Sequence, residues 1–283
     1  MRYKPQPIAL LTQHKKARWI APELAPLGLD VVTTSAYDTD LLGSFSGAVA
    51  RSLTPLECAK RKAQLACELT GQRLGLGSEG SFGGGPMPGL VNWDEEVLAL
   101  YDAQREIFVV AKASGPVALR DLGEAELASL ATSLAEFDIA QAWLLHYQLK
   151  ATDSAAASSG VIKDLHSAEA ILQAISQLPQ ARLARSHLRI QPDYRAMNCP
   201  PRQGYIKLAA AQLRARLSAE CPACGELNFW QTGVQTGLPC RACQCPTQMP
   251  KAMITGCAHC GHEQITPVAA PSADPIRCPI CNP

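Results

Sequence analysis

The alternation of apolar and polar segments predicts an α/β arrangement at the start of the chain. Apolar runs at 7–12 and 29–34 have the length and residue types of buried strands. The periodic segment between them, 15–27, predicts a helix despite Pro22. A strand, a helix and a second strand in this order are typical of a sheet that is covered by helices.

The segment 55–70 carries the clearest helix signals. Thr54 provides an N-cap hydroxyl, Pro55 stands at the first helical position and Glu57 can close a capping box. Gly71 ends the periodic segment. Glu57 therefore has a structural explanation beside any chemical one.

Later segments extend the alternation to about residue 218. Runs at 97–101 and 107–111 flank a polar turn and predict a hairpin. The segment 151–160, ATDSAAASSG, has the composition of a linker, but we interpret it as a surface loop because further strand and helix signals follow it. The other predicted elements are helices near 124–136, 167–178 and 203–218 and strands near 143–149 and 186–190.

A change of composition near Ser218 divides the chain into two predicted domains. Helical periodicity ends there, and proline, glycine and cysteine become frequent. We expect an α/β domain with a mixed sheet over 1–217 and a small zinc-ribbon module over 218–283. A chain of 283 residues suits one sizeable core with such a module appended.

Four C-x2-C pairs in this module predict a metal centre. Each pair can turn two sulfurs onto one ion, and zinc prefers four such ligands. The first two pairs enclose residues 225–239 and the last two enclose 261–277, both spacings usual for zinc sites. The paired cysteines are Cys221, Cys224, Cys240, Cys243, Cys257, Cys260, Cys278 and Cys281.

The spacing allows two pairings of these ligands. Sequential pairing gives two stacked ribbons, whereas joining the first pair to the third and the second to the fourth gives an interleaved cross-brace. We expect sequential pairing, because each half of the module already holds a complete ligand set. Cys245, His259 and His262 are expected beside the two sites and not among their ligands.

Hydropathy predicts a cytoplasmic protein with no membrane partner. The first apolar run, Ile8 to Leu11, is too short for a signal peptide, and no apolar stretch of membrane-spanning length follows. We therefore expect reduced thiolates that bind zinc, in preference to disulfides or an iron–sulfur cluster.

Charge separates the two parts of the chain, although the formal net charge is only +1. Between Arg182 and Arg216, eight basic residues stand against Asp193 alone, which predicts an anionic neighbour. The module, with three basic and four acidic residues and two tetrathiolate zinc ions, would carry a charge of about −5. We expect it to be structural or to dock a protein, since nucleic-acid phosphates require basic surfaces.

Polar residues of the N-terminal part suggest a phosphate and metal site. Thr12, His14 and Lys16 follow the first strand at a helix start, where backbone N–H groups can meet a phosphate, although taken alone they are explained better by an ordinary βα loop. A glycine-rich loop at 75–86 surrounds Glu79 and allows either close approach to an anion or a flexible connection. Other acids and a lysine that suit Mg²⁺ and a polyphosphate are Asp38, Asp40, Glu57 and Lys62.

As a whole the chain resembles an uncharacterised bacterial family of unknown function. The resemblance covers nearly the full length and implies no activity. The chain departs from that family at Gly84 and Gly85, where a Pro-His pair is expected. The shared motifs lie at Leu10–Lys16, Asp38–Asp40, Gly77–Gly83, Arg195–Pro200 and Cys278–Pro283.

The N-terminal part also resembles the inosine/xanthosine triphosphate pyrophosphatase superfamily. The segment 57–63, ECAKRKA, is similar to its E-N-A-x-x-K-A motif with Cys58 in place of asparagine. The start of the chain approximates its T-x-N-x-x-K motif with His14 in place of asparagine and Lys16 one position early. Glu79 falls where that superfamily keeps a metal-binding acid.

This second resemblance implies an α/β fold with a cleft and Mg²⁺-dependent release of pyrophosphate from a nucleoside triphosphate. Arg195 and Arg202 of the basic segment would then clamp phosphate or stack on a base, unless they form a solvated face. Two alternatives stay open: a non-enzymatic protein that binds a nucleotide, RNA or a protein partner, and a retired enzyme. The expected catalytic residues are Glu57, Glu79, Lys16 and Lys62, the substrate-binding residues are Thr12, His14, Arg195 and Arg202, and the magnesium ligands are Glu57, Glu79, Asp38 and Asp40.

Overall fold

The computed structural model describes residues 5–38, 53–83, 85–86, 88–152, 155–184 and 187–283. The chain divides into two compact units, Arg2–Gln212 and Leu213–Pro283. Asp40, an expected magnesium ligand, lies outside the described residues. Within the described ranges no helix is both long and apolar enough to cross a membrane.

The first unit contains a five-stranded mixed sheet in the order β2-β1-β3-β4-β5. Strand β1 (Gln6–Leu11) pairs in parallel with β2 (Leu29–Thr34) and with β3 (Leu74–Phe82). Strands β4 (Trp93–Asp102) and β5 (Ile107–Pro116) continue the sheet in antiparallel order. The mixed sheet, the β-α-β opening and the hairpin predicted from the sequence are confirmed.

Helices α1 (Ala17–Leu24) and α2 (Pro55–Thr70) link the parallel strands. Helix α2 begins with the predicted capping box, in which Thr54 accepts from the Glu57 backbone N–H at 3.2 Å. It ends at Gly71, whose φ of 69° is a left-handed conformation that glycine adopts without strain.

The glycine-rich segment is mostly a strand and not the expected loop. Residues 74–80 of β3 are buried in the middle of the sheet. A Cβ at Gly75 or Gly77 would collide with carbonyl oxygens of Ala63 and Ala59 on α2. These glycines therefore let the helix backbone pack directly on the strand.

A second, antiparallel sheet of the first unit has the order β7-β6-β8. The linker-like segment 151–160 leads into β7 and joins two paired strands, so its interpretation as a loop within a domain agrees with the structure. The predicted helix at 124–136 is a 3-10 turn, Glu124–Ser129, followed by α3. The elements are α3 (Leu130–Leu134), β6 (Trp143–Leu149), β7 (Ser158–Leu165), α4 (Ala168–Ser176), β8 (Arg189–Pro192) and α5 (Pro200–Ser218).

The C-terminal unit contains a three-stranded antiparallel sheet that the sequence did not predict. Its order is β11-β10-β9, with β9 at Trp230–Thr236, β10 at Pro250–Gly256 and β11 at Glu263–Pro267. Apolar side chains of its strands, such as those of Val234 and Ile265, are exposed. The strands therefore lack the regular alternation of buried apolar and exposed polar residues by which strands are recognised in a sequence.

Candidate metal centres and a buried charged cluster

Each cysteine pair of the C-terminal unit lies on a tight turn. The Gly225 N–H donates to the Cys221 carbonyl at 2.8 Å, and the Gly261 N–H donates to the Cys257 carbonyl at 2.9 Å. Both glycines have positive φ, 71° and 73°, which a glycine tolerates. The turn presents both sulfurs of a pair to one point.

The eight sulfurs form two groups of four, and within each group all sulfurs lie within 4.8 Å of one another. A tetrahedral zinc site with Zn–S bonds of about 2.3 Å has sulfur–sulfur edges of about 3.8 Å. The shortest sulfur–sulfur contacts here are 3.6 to 3.9 Å. Both groups can therefore hold a metal ion, and four thiolates at this spacing suit zinc. The groups are Cys221, Cys224, Cys257 and Cys260, and Cys240, Cys243, Cys278 and Cys281.

The expected sequential pairing of the cysteines is wrong, because the structure has the cross-brace. Strand β9 starts just after the first pair and β10 ends just before the third, and Trp230 of β9 lies opposite Gly256 of β10. Antiparallel pairing thus brings the first and third cysteine pairs to one end of the sheet. At its other end, the Arg241 N–H donates to the Ala273 carbonyl and the Ala273 N–H donates to the Pro239 carbonyl, which ties the second pair to the segment before the fourth.

Cys245, His259 and His262 belong to neither group of sulfurs. Cys245 contributes its carbonyl to the Cys240 N–H at 2.9 Å, and His262 does the same for Cys257. The His262 ring stacks on Phe229 with ring centres 5.7 Å apart. These residues shape the turns without being part of the four-sulfur groups.

The first unit gathers charged side chains where β3 extends beyond β1. Pairing with β1 ends at Leu76, whereas β3 continues to Phe82. Ligands of open α/β sheets commonly bind at such carboxyl ends of parallel strands. Glu79 is buried at this position, and its carboxylate accepts from Lys62 Nζ at 2.5 Å and from the Cys58 thiol at 3.4 Å.

Lys16 enters the cluster from the loop between β1 and α1. Its buried Nζ donates to Ser78 Oγ at 2.9 Å and lies 3.5 Å from a carboxylate oxygen of Glu96. Lys15 has a φ of 54°, an uncommon conformation for a residue with a side chain. Helix α1 then starts without a side-chain cap among the described residues, and the N–H groups of its second and third residues donate to the carbonyls of Lys15 and Lys16 at 3.3 and 3.1 Å.

Two arginines reach the cluster from the basic segment before and within α5. Arg202 is almost fully buried and donates to Glu96 and to the carbonyl of Tyr194. Arg195 is held by Asp193 and by Asp164, with 2.6 Å from its Nη2 to each carboxylate. These two side chains therefore do not form the solvated basic face that was the alternative to binding phosphate or a base.

The pKa of His14 reflects the charged side chains around it. Burial, followed by the positive charges of four cationic side chains, lowers the pKa of His14 from 6.5 to about 4. A nearby cation opposes protonation of an imidazole, so the pKa of His14 shows that four cationic side chains lie close to its ring. The four cations are Lys16, Arg202, Lys62 and Arg195.

The remaining residues expected at the site have other contacts. Thr12 Oγ1 accepts from the His14 backbone N–H at 3.2 Å. Asp38 is exposed and accepts from the Gln13 amide at 3.4 Å. The exposed carboxylate of Glu57 accepts from the backbone N–H and the hydroxyl of Thr54, as the capping alternative predicted.

Sequence reasoning missed Asp94 and Glu96, which are fully buried on β4. Their signal was two acids at alternate positions in the run WDEEV, one residue apart on a single face of a strand. Such acids normally lie on a solvated face, but here Arg202 and Lys16 pack against this face of β4, an interior strand of the sheet.

Comparison with known proteins identifies a family whose function is unknown. The domain of unknown function DUF6671 matches residues 62–283, which include Lys62, Glu79, Arg202 and all the paired cysteines. No curated protein and no solved structure shows significant similarity to the chain. Because the match spans well over half of its length, the chain belongs to the DUF6671 family.

Proposed function

We propose that the α/β unit binds a nucleoside triphosphate and hydrolyses it with Mg²⁺, releasing pyrophosphate. The observation that carries this proposal is the gathering of Lys16, Lys62 and Arg202 around His14 at the carboxyl ends of the parallel strands. Water would attack the α-phosphorus, the bond from that phosphorus to the bridging oxygen would break, and pyrophosphate would leave.

The arrangement suits an anion of high charge. A triphosphate carries about four negative charges, and cations already in place require no reorganisation when the leaving group gains charge. Lys16 and Lys62 are buried, so water screens them weakly and their attraction to phosphate is strong.

Glu79 is our proposed magnesium ligand, with Glu57 as the second. Cys58 follows Glu57 in the chain and contacts the Glu79 carboxylate, so the first turn of α2 lies beside Glu79. Hard carboxylate oxygens are the protein ligands that Mg²⁺ prefers, and substrate phosphates complete its coordination. When bound, Mg²⁺ would neutralise charge on the leaving pyrophosphate.

One observation favours a second candidate function, binding without hydrolysis. The Glu79 carboxylate is engaged by Lys62 at 2.5 Å, and this pair must open before Glu79 can hold a metal. A protein that only binds a nucleotide or RNA could keep the pair closed. The zinc sites would then stabilise the C-terminal unit, whose negative charge favours docking of a protein over contact with phosphates.

Turnover of a nucleotide panel decides between these functions. The zinc-loaded full chain is incubated with Mg²⁺ and purine nucleoside triphosphates, including deaminated ones, and pyrophosphate release is measured. We expect Glu79→Gln to lower turnover by at least about a hundredfold, because a charged ligand is lost at the reacting centre. Glu68→Gln, an exposed acid paired with Arg61 on α2, is the matched control and keeps activity.

The far-UV circular dichroism and zinc content of Glu79→Gln must match those of the wild type for the comparison to hold. Binding of a non-hydrolysable analogue without any turnover in the wild type would replace hydrolysis by the binding function. Absence of both binding and turnover across the panel would reject both functions.

A further inference from the structure

The face of β4 that Arg202 packs against carries an unusual set of carboxylate oxygens. Asp94 and Glu96 are both 0% exposed. Neither oxygen of Asp94 has a hydrogen-bond partner among the described residues. Glu96 accepts from Arg202 through Oε1, and its Oε2 has no hydrogen bond among those residues but lies 3.5 Å from Lys16 Nζ.

Charge balance alone does not explain this arrangement. Lys16 and Arg202 offset the two negative charges, but Lys16 donates to Ser78, and Arg202 donates to Glu96 and to the carbonyl of Tyr194. A buried acceptor without a partner is unfavourable, because it has lost its hydrogen bonds to water. The two such oxygens of Asp94, beside Glu96 on the same strand face, therefore indicate a ligand that binds carboxylate lone pairs.

We propose that Asp94 and Glu96 form a binding site for a divalent cation with hard oxygen ligands, such as Mg²⁺ or Mn²⁺. The two side chains lie at alternate positions of one strand and so project from the same face. Ser78 Oγ, which contacts Lys16, is a further oxygen of the same neighbourhood.

A proton satisfies these oxygens less well than a cation does. Protonation of Asp94 neutralises one charge and turns one oxygen into a donor, but its carbonyl oxygen still lacks a partner, whereas one cation can bind several oxygens at once.

This cation site is distinct from the magnesium ligands of the proposed function and does not depend on nucleotide hydrolysis. Glu79 is engaged by Lys62 and would hold Mg²⁺ together with substrate phosphates. Asp94 and Glu96 instead offer two carboxylates without any substrate. A cation there would also increase the positive charge around the cluster.

Titration of the zinc-loaded full chain with Mn²⁺ alone tests the inference, with free Mn²⁺ followed by electron paramagnetic resonance. We expect the wild type to bind about one equivalent of Mn²⁺, and Asp94→Asn to weaken this binding by about tenfold or more, since affinity follows the number of charged ligands. Glu95→Gln is the matched control. It lies between the two acids on the opposite face, is paired with Lys112 at 3.3 Å, and should keep wild-type binding.

Glu96→Gln is the second variant, because it keeps an acceptor for Arg202 if Asp94→Asn does not fold. Unchanged Mn²⁺ binding in the folded variants, or no Mn²⁺ binding in the wild type, would overturn the inference. So would loss of binding in Glu79→Gln with retention in Asp94→Asn, since the cation would then belong to the proposed magnesium site. Loss of Mn²⁺ binding in Asp94→Asn, together with a wild type that releases no pyrophosphate, would support the cation site and would contradict only the proposed hydrolysis.

Discussion

The cysteine groups and the buried charged cluster differ in how the chain assembles them. The cysteines lie within one segment, 221–281, and their C-x2-C spacing alone identifies them as ligands. The charged cluster combines residues of β3, β4, α2, α5 and the loop after β1, which are up to 186 residues apart, from Lys16 to Arg202. Local spacing therefore identifies metal ligands, whereas pairing of strands that are far apart in the chain decides which of these ligands meet.

The largest expected effect comes from pairs of cysteine substitutions, which distinguish the two arrangements. In the cross-brace, Cys221 and Cys257 belong to one group, so the double Ser variant should lose one zinc ion and keep the other. The double variant of Cys221 and Cys240 touches both groups and should lose both ions. Elemental analysis of protein purified without chelator measures this, with Cys245→Ser as the control that retains both.

The reverse outcome, with both ions lost from the Cys221/Cys257 variant and one retained by the Cys221/Cys240 variant, would restore sequential pairing. We also expect the variant without zinc to lose the folded structure of the C-terminal unit, because binding of metal and folding are coupled in such small modules.

The sequence predicted the helices and strands better than it predicted how the strands pair. The cap residues Thr54 and Glu57 set the start of α2 because capping is local. The sheet β9-β10-β11 was missed, and with it the cross-brace, because register and pairing depend on residues far apart in the chain.

The same limit applies to the charged cluster. Motifs singled out Lys16, Lys62 and Glu79, which the structure brings together. Burial of Asp94 and Glu96 could not be predicted, since a strand with alternate acids is normally expected to face water. The glycines of β3 were interpreted as a loop because their purpose, close packing of α2, becomes visible only when the helix is in place.

A smaller effect tests that close packing between α2 and β3, on which Glu79 and Lys62 depend. In Gly77→Ala, the added methyl group would meet the Ala59 carbonyl, and we expect a destabilisation of about 1–3 kcal/mol. Gly204→Ala is the control, because an added Cβ on α5 meets no atom within 4 Å and should stabilise the helix by about 0.5–1 kcal/mol. Denaturant unfolding measures both, and equal stability of the two variants would contradict the packing argument.

The smallest expected change in stability separates the two roles of Glu57. Thr54→Ala removes the cap and should destabilise the protein by about 1 kcal/mol without loss of turnover. Glu57→Gln should lower turnover if this carboxylate also holds Mg²⁺. Pyrophosphate release is measured beside thermal unfolding, and equal turnover of both variants and the wild type would leave Glu57 with its capping role alone.

Titration of His14 tests most directly whether the charged cluster is an anion site. In the free protein its imidazole resonances should shift with a pKa of about 4, far below the ordinary 6.5, and His14→Asn assigns them. A non-hydrolysable nucleoside triphosphate bound among Lys16, Lys62 and Arg202 would offset their charge, so we expect the pKa of His14 to rise when the nucleotide saturates the protein. A pKa near 6.5 in the free protein, or one that the nucleotide leaves unchanged, would contradict the account.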